Sequence, residues 1–246
     1  MAGTYSPWLV LVSILVAVFV SYTALNLSAR VAREKELSRG NLWLAGGALA
    51  MGCGIWSMHF IGMLAFSLPI PLAYDISMTL GSLVIAVAIS GFALSVASNP
   101  EISLGHLSGA ALIMGIGISA MHYTGMAGIL ILPMITYEPG LLLVSIAIAI
   151  VASFAALWLF FKLRHGRTLG MHMARVGAAF VMGFAISGMH YTAMAASRFS
   201  ARSFCTTASS VDTHWLAITV TVVAIGVLST ATALLVRNGQ GEAEAA

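Results

Sequence analysis

Charge is scarce in this chain. Only 8% of its 246 residues are Asp, Glu, Lys or Arg, against about a quarter in an ordinary soluble domain. So little charge cannot cover a water-facing surface, which excludes a soluble globular protein. Cysteine is short too: Cys53 lies mid-run in an apolar segment and Cys205 in a loop, too few and too far apart for a disulfide framework. No Lys or Arg precedes the first apolar run, between Met1 and Trp8. A cleaved signal peptide is therefore not expected, and that run should remain in the mature protein. The net charge of +3 comes without a basic stripe, so nucleic acid is not an expected partner.

What the chain has in abundance is apolar length. Runs at about 8–28, 42–66, 76–97, 105–131, 140–161, 173–196 and 214–236 each approach the roughly 20 residues that cross hydrocarbon. Pro69 and Pro71, Asn99-Pro100, Pro133 and Glu138-Pro139-Gly140 separate them. The expected fold is all-α: seven transmembrane helices of an inner-membrane protein, occupying residues 1–238, with a short polar tail at 239–246. Arg30, Arg33, Lys35 and Arg39 follow the first span, Lys162, Arg164, Arg167 and Arg175 the fifth, and Arg237 the seventh, while the opposite side holds only Arg198 and Arg202. The positive-inside rule then puts the N-terminus outside and the C-terminus in the cytoplasm. One cytoplasmic loop, Ser98–Ser103, carries no basic residue.

The runs repeat. Met51-Gly-Cys-Gly-Ile-Trp-Ser-Met-His-Phe-Ile-Gly-Met63, Met114-Gly-Ile-Gly-Ile-Ser-Ala-Met-His-Tyr-Thr-Gly-Met126 and Met182-Gly-Phe-Ala-Ile-Ser-Gly-Met-His-Tyr-Thr-Ala-Met194 align without a gap in spans two, four and six. Tyr74-Asp75 and Tyr137-Glu138 follow their His at equal spacing, with Ser82 and Ser145 beyond; Tyr5, Ser13 and Ser21 echo the pattern in span one, and Asp212 and Thr219 partly in span seven. The unit is a helical hairpin. It occurs three times, and one extra helix closes the chain.

His59, His122 and His190 stand about seven residues before the outer ends of their spans, roughly 10 Å deep at 1.5 Å per residue. Because the three helices run the same way, the imidazoles are level. A lone intramembrane His is ordinarily glue between helices, worth ~1 kcal/mol; three at one depth, each between Met residues, point to a site. Met63, Met126 and Met194 lie four residues on, sharing a helix face with the His. Imidazole with thioether suits copper, above all Cu(I), better than magnesium or calcium. Met58, Met121 and Met189 point about 100° away and stand behind them as candidates. Met51, Met114 and Met182 read first as core filler and second as the lining of a path.

Gly52, Gly54, Gly62, Gly115, Gly117, Gly125, Gly183, Ala185 and Ala193 would let the helices approach closely. Tyr123 and Tyr191 offer hydroxyls to an imidazole or ligand, where the first copy has Phe60. Asp75, Glu138 and Asp212 read as helix starts, and Ser82 and Ser145 as bonding their own helix or a neighbour. His165 reads as part of the basic cytoplasmic loop, while His106 and His172 read as residues of the membrane boundary. His214 does too, or else as a stray partner of the histidine layer.

The tetrads Met121-His122-Tyr123-Thr124 and Met189-His190-Tyr191-Thr192, with the variant Met58-His59-Phe60-Ile61, resemble the MHYT-domain family over nearly the whole chain. The resemblance implies a bacterial integral-membrane sensor that binds copper through its Met, His and Tyr residues near the outer face. Its implied stimulus is oxygen, carbon monoxide or nitric oxide. Many members join the module to domains that make or break cyclic di-GMP; this sequence has none, so a separate cytoplasmic signalling partner is the expected reader. No catalytic residues are expected. The rivals are an electron-transfer protein with haem b on two of the histidines, a copper carrier, and a structural membrane subunit.

Overall fold

The computed structural model describes residues 3–34, 40–99, 101–163, 168–206 and 210–243, without the side chains at 32–34, 210–212, 231, 232 and 234–243. Among the described residues, seven helices are long and apolar enough to cross a membrane: α1 (Pro7–Glu34), α2 (Gly40–Leu64), α3 (Ile76–Ala97), α4 (Leu104–Ala127), α5 (Pro139–Leu163), α6 (Leu169–Ala196) and α7 (Thr213–Ala243). Local chemistry sets their starts. Pro7 and Pro139 open α1 and α5, where a missing N–H costs nothing. The Asp75 carboxylate accepts from the Met78 amide at 2.8 Å, and Ser103 and Thr168 cap α4 and α6 in the same way.

The helices bury their small residues. In α3 the buried stripe is Thr79, Ser82, Ala86, Ser90, Ala93, Leu94 and Ala97, while Val84 on the other side is 67% exposed. Large aliphatics facing out and small residues facing in is the pattern a lipid solvent rewards.

The first six helices close into a ring in chain order, α1 returning to α6, and α7 packs outside against α2. Leu216, Val220 and Ala224, four residues apart, form the buried stripe of α7. Glycine sets three of the ring's joints. A Cβ on Gly52 would stand 2.5 Å from the Cα of Val87, on Gly115 2.6 Å from that of Ile150, and on Gly183 2.7 Å from that of Val18. Only backbone-to-backbone contact leaves so little room, and these equivalent glycines join α2 to α3, α4 to α5 and α6 to α1.

One end of the ring is tied by short antiparallel pairs. β1 (Thr4–Tyr5) pairs with β2 (Phe66–Ser67), β3 (Ala73–Asp75) with β8 (Ser210–Asp212), β4 (Ile131–Leu132) with β7 (Phe204–Cys205), and β5 (Thr136–Tyr137) with β6 (Ser197–Arg198). Within this cap, Ser6 N–H donates to Ala65 O, Asp75 N–H to Gly128 O and Glu138 N–H to Ala196 O, each at 2.8 Å. Three equal bonds thus clip the starts of α1, α3 and α5 to the ends of α2, α4 and α6.

The structure shifts some sequence-based boundaries. The histidines lie five residues before the end of α2 and α4 and six before the end of α6, not seven; the last residues of the second and fourth apolar runs leave the helix for the cap strands. Helix α7 continues past residue 238 to Ala243. Arg175 is not a loop cation: it lies inside α6, 7% exposed, and its guanidinium donates to the Leu163 carbonyl at the end of α5 at 2.8 and 3.1 Å. Arg30 stays on α1 with its guanidinium 3.8 Å over the Trp43 ring. Lys35, Arg39, Arg164, His165 and Arg167 lie outside the described residues, as do the side chains of Arg33, Asp212 and Arg237.

Candidate metal centre

The alternate helices α2, α4 and α6 each turn one imidazole to the ring axis, and the three meet. His59 Nδ1 stands 3.1 Å from His122 Nδ1 and 3.2 Å from His190 Nδ1. Ring centroids are 4.7, 5.2 and 5.1 Å apart for the pairs 59–122, 59–190 and 122–190, all edge-on. Each residue is 0% exposed. Among the described residues they form the one group of three or more His, Cys, Asp or Glu whose ligand atoms could share an ion, all within 4.8 Å.

These contacts are hard to satisfy with protons alone. A neutral imidazole has one N–H and one lone pair. His59 Nδ1 faces two neighbouring Nδ1 atoms, so it cannot donate to both, and a single lone pair serves one donor well. The Nε2 atoms offer no relief, since all three are buried without a hydrogen-bond partner. A buried polar atom left unpaired costs about 1–3 kcal/mol and commonly marks an ion or water. With every proton on Nε2, three lone pairs converge. A metal at 2.0–2.1 Å from three nitrogens holds them about 3.3–3.6 Å apart, a few tenths of an ångström beyond the present spacing. The donor set therefore fits a cation.

Small residues make the convergence possible. A Cβ on Gly62 would strike His190 Nε2, and one on Gly125 would strike His59 Nε2. Ala193 holds the third equivalent position. The residue after each His stacks on it edge-on: Phe60 at 4.8 Å, Tyr123 at 4.9 Å and Tyr191 at 4.8 Å between centroids.

The tyrosine hydroxyls are engaged elsewhere than on the imidazoles. Tyr123 Oη lies 2.7 Å from Ser145 Oγ, and Tyr191 Oη 2.7 Å from Ser13 Oγ. Both serines give their proton to a carbonyl of their own helix, so the tyrosine is the donor. They bolt α4 to α5 and α6 to α1. Copy one keeps the bolt with another residue: Trp56 Nε1–H, one turn before Phe60, donates to Ser82 Oγ at 3.1 Å. Trp56 takes the position of Ser119 and Ser187. The sequence carried this signal as the paired departure of Trp56 and Phe60 from the other copies, which the reading of the motif alone missed.

Met58, Met63, Met121, Met126, Met189 and Met194 are all buried, none above 5% exposed. Met51, Met114 and Met182 converge in a separate cavity. His214 is exposed and outside the histidine group. His106 pairs with Ser103 at the start of α4. Asp75 and Glu138 sit at helix starts as expected; the Glu138 carboxylate accepts from the Leu141 and Gly140 amides at 2.7 and 3.0 Å, which hold it below the usual carboxylate range. Burial raises the cap phenols Tyr74 and Tyr137, the latter to about 12, so the cap keeps them neutral. Cys53 and Cys205 are free thiols.

A ring of six membrane helices around three buried imidazoles, built from a triplicated hairpin, defines a multi-pass membrane module with a shared site. Residues 1–40, 52–110, 115–171 and 183–243 match the MHYT family, described as "Bacterial signalling protein N terminal repeat". The chain belongs to the MHYT family and is a multi-pass membrane signalling domain of the bacterial inner membrane. It is 50% identical over 242 residues to the Bifunctional diguanylate cyclase/cyclic di-GMP phosphodiesterase MucR of Pseudomonas aeruginosa, covering 98% of this chain and 35% of that protein. It is 42% identical over 193 residues to the Cyclic di-GMP phosphodiesterase NbdA of the same organism, covering 78% and 24%. To the Signaling protein YkoW of Bacillus subtilis it is 40% identical over 199 residues, covering 80% and 24%. The chain thus spans about a third or less of the length of these relatives. No solved structure matches it.

Proposed function

We propose that this domain senses a diatomic gas or a change of redox state through a metal, copper for preference, held by His59, His122 and His190. The observation that carries this reading is His59 Nδ1 standing 3.1 Å from His122 Nδ1 and 3.2 Å from His190 Nδ1 in a fully buried layer. Neutral nitrogen donors without a carboxylate favour copper over magnesium or calcium. Met63, Met126 and Met194, with Met58, Met121 and Met189 behind them, are the thioethers available when the helices shift. Tyr123 and Tyr191 support the site by fixing the helices that carry the imidazoles.

Zero exposure limits the stimulus. A charged or bulky molecule has no direct route to these rings, while oxygen, CO or NO is small and nearly apolar. When bound, the metal supplies an open coordination position or a change of valence. The protein supplies a ring whose joints are backbone contacts. A change in the nitrogen triangle moves α2, α4 and α6 together, and a stimulus shifts the balance by as much as it prefers one packing. A cytoplasmic signalling domain or partner reads that packing, in keeping with the names of the relatives. The spacing weighs against haem b: a macrocycle must lie between two axial imidazoles, and these three touch.

The test is metal content of detergent-purified protein, with His122→Ala and His190→Ala beside wild type. Wild type should hold copper at the histidine layer, and each variant should lose that share, close to one ion per chain. Equal metal in all three would sink the proposal, and a strong Soret band would revive haem.

A further inference from the structure

Beneath the histidine layer lies a second convergence that the proposed function does not use. Met51, Met114 and Met182 each precede their His by eight residues, about 12 Å along the helix. All three line one cavity of about 40 Å³, together with Ser21, Ser153, Ile118, Phe160 and other apolar side chains. The volume exceeds the roughly 10–15 Å³ that one water needs, so an ion fits. Ser21 and Ser153 are each 1% exposed, and their hydroxyl oxygens have no hydrogen-bond partner. Ser90, the equivalent residue of α3, is orphaned too. A hydroxyl left unpaired in an apolar cavity costs about 1–3 kcal/mol, and such atoms call for an occupant.

We infer that the Met51–Met114–Met182 cavity is a second metal site, selective for a monovalent thiophilic ion such as Cu(I) or Ag(I). Three thioethers and one or two hydroxyl oxygens form a neutral, soft donor set. Calcium and magnesium require six or more oxygen ligands or retained water, which this lining does not offer. A divalent ion would also bring two charges into a cavity with no counter-charge on its walls, whereas a monovalent ion brings one and forms covalent bonds to sulfur. Repetition places the three sulfurs level with one another, as it does the imidazoles. The inference is independent of the histidine site and adds a seat deeper in the same ring.

The test uses the full chain, labelled with [13C-methyl]methionine, in detergent and chloride-free buffer, titrated with silver nitrate. The single variants M51L, M114L and M182L assign three of the fourteen methionine methyl signals, since Met and Leu exchange with little strain. Those three signals should shift together and saturate with one equivalent of silver. The triple Met→Leu variant should bind one equivalent less than wild type. If the three signals stay fixed at saturating silver while those of Met58, Met63, Met121, Met126, Met189 or Met194 move, the inference is overturned. Failure of the histidine reading looks different: His122→Ala would leave copper content unchanged while the three deep methyl signals still shift with silver.

Discussion

Copy one of the hairpin differs from copies two and three at the residue after its histidine, and the comparison separates what the site needs from what merely surrounds it. Copies two and three use Tyr123 and Tyr191 to bolt their helices to Ser145 and Ser13. Copy one has Phe60, with no hydroxyl, yet Ser82 is bonded all the same by Trp56 from one turn earlier. The Trp56 and Phe60 rings pack together, 4.7 Å between centroids. What all three copies keep is the imidazole, the stacked ring beside it and a donor to the facing serine. The tyrosine hydroxyl is therefore a structural bolt with an interchangeable donor.

The largest effect on metal content should come from closing the space that the comparison leaves open. Gly62→Ala and Gly125→Ala place a methyl against His190 and His59. Overpacking of this kind costs about 1–3 kcal/mol, and relief comes by turning the imidazole away, so metal content should fall severalfold. Gly188→Ala, where nothing lies within 4 Å, should leave metal and stability unchanged. A metal-free Gly188→Ala would break the argument.

The exchange of bolts comes next. Trp56→Ser alone should destabilise the domain by about 3–5 kcal/mol, the usual cost of deleting a buried Trp. The double change Trp56→Ser with Phe60→Tyr converts copy one to the pattern of the others and should recover part of that loss in thermal unfolding. No recovery would mean that Trp56 matters for its volume and not for its bond.

Removing single bolts should do less. Tyr123→Phe and Tyr191→Phe each delete one hydrogen bond between helices, worth ~1 kcal/mol in a membrane. Metal content should persist in both, which a ligand role for the hydroxyl would contradict. The smallest effect belongs to the cap. The Glu138 carboxyl is held low by backbone amides, so its contribution is present above the ordinary carboxylate range and lost as pH falls through the lowered value. Glu138→Gln should lower stability slightly at neutral pH and leave it unchanged below the lowered value, flattening the acid side of the profile.

Much of this was legible before the coordinates. Seven helices, the triplicated hairpin and the level of His59, His122 and His190 follow from apolar runs and one ungapped repeat. Close approach was legible in Gly52, Gly115 and Gly183, though not which helix each would meet. The cap was not legible, because an apolar run gives no sign of where a helix hands over to a two-residue strand: Ile131 looked like the end of span four and is in β4. Arg175 was read as a loop cation because sequence cannot say that the α5 carbonyls would be its partners. The deep methionines read as filler, since a cavity belongs to no single segment and appears only when α2, α4 and α6 are side by side.

X-ray absorption at the copper edge of the loaded wild-type protein tests the central claim most directly. The account predicts a first shell containing three imidazole nitrogens at about 2.0 Å, and most of that imidazole-bound copper should be missing from His122→Ala. A first shell without imidazole, or one indifferent to that substitution, would contradict it.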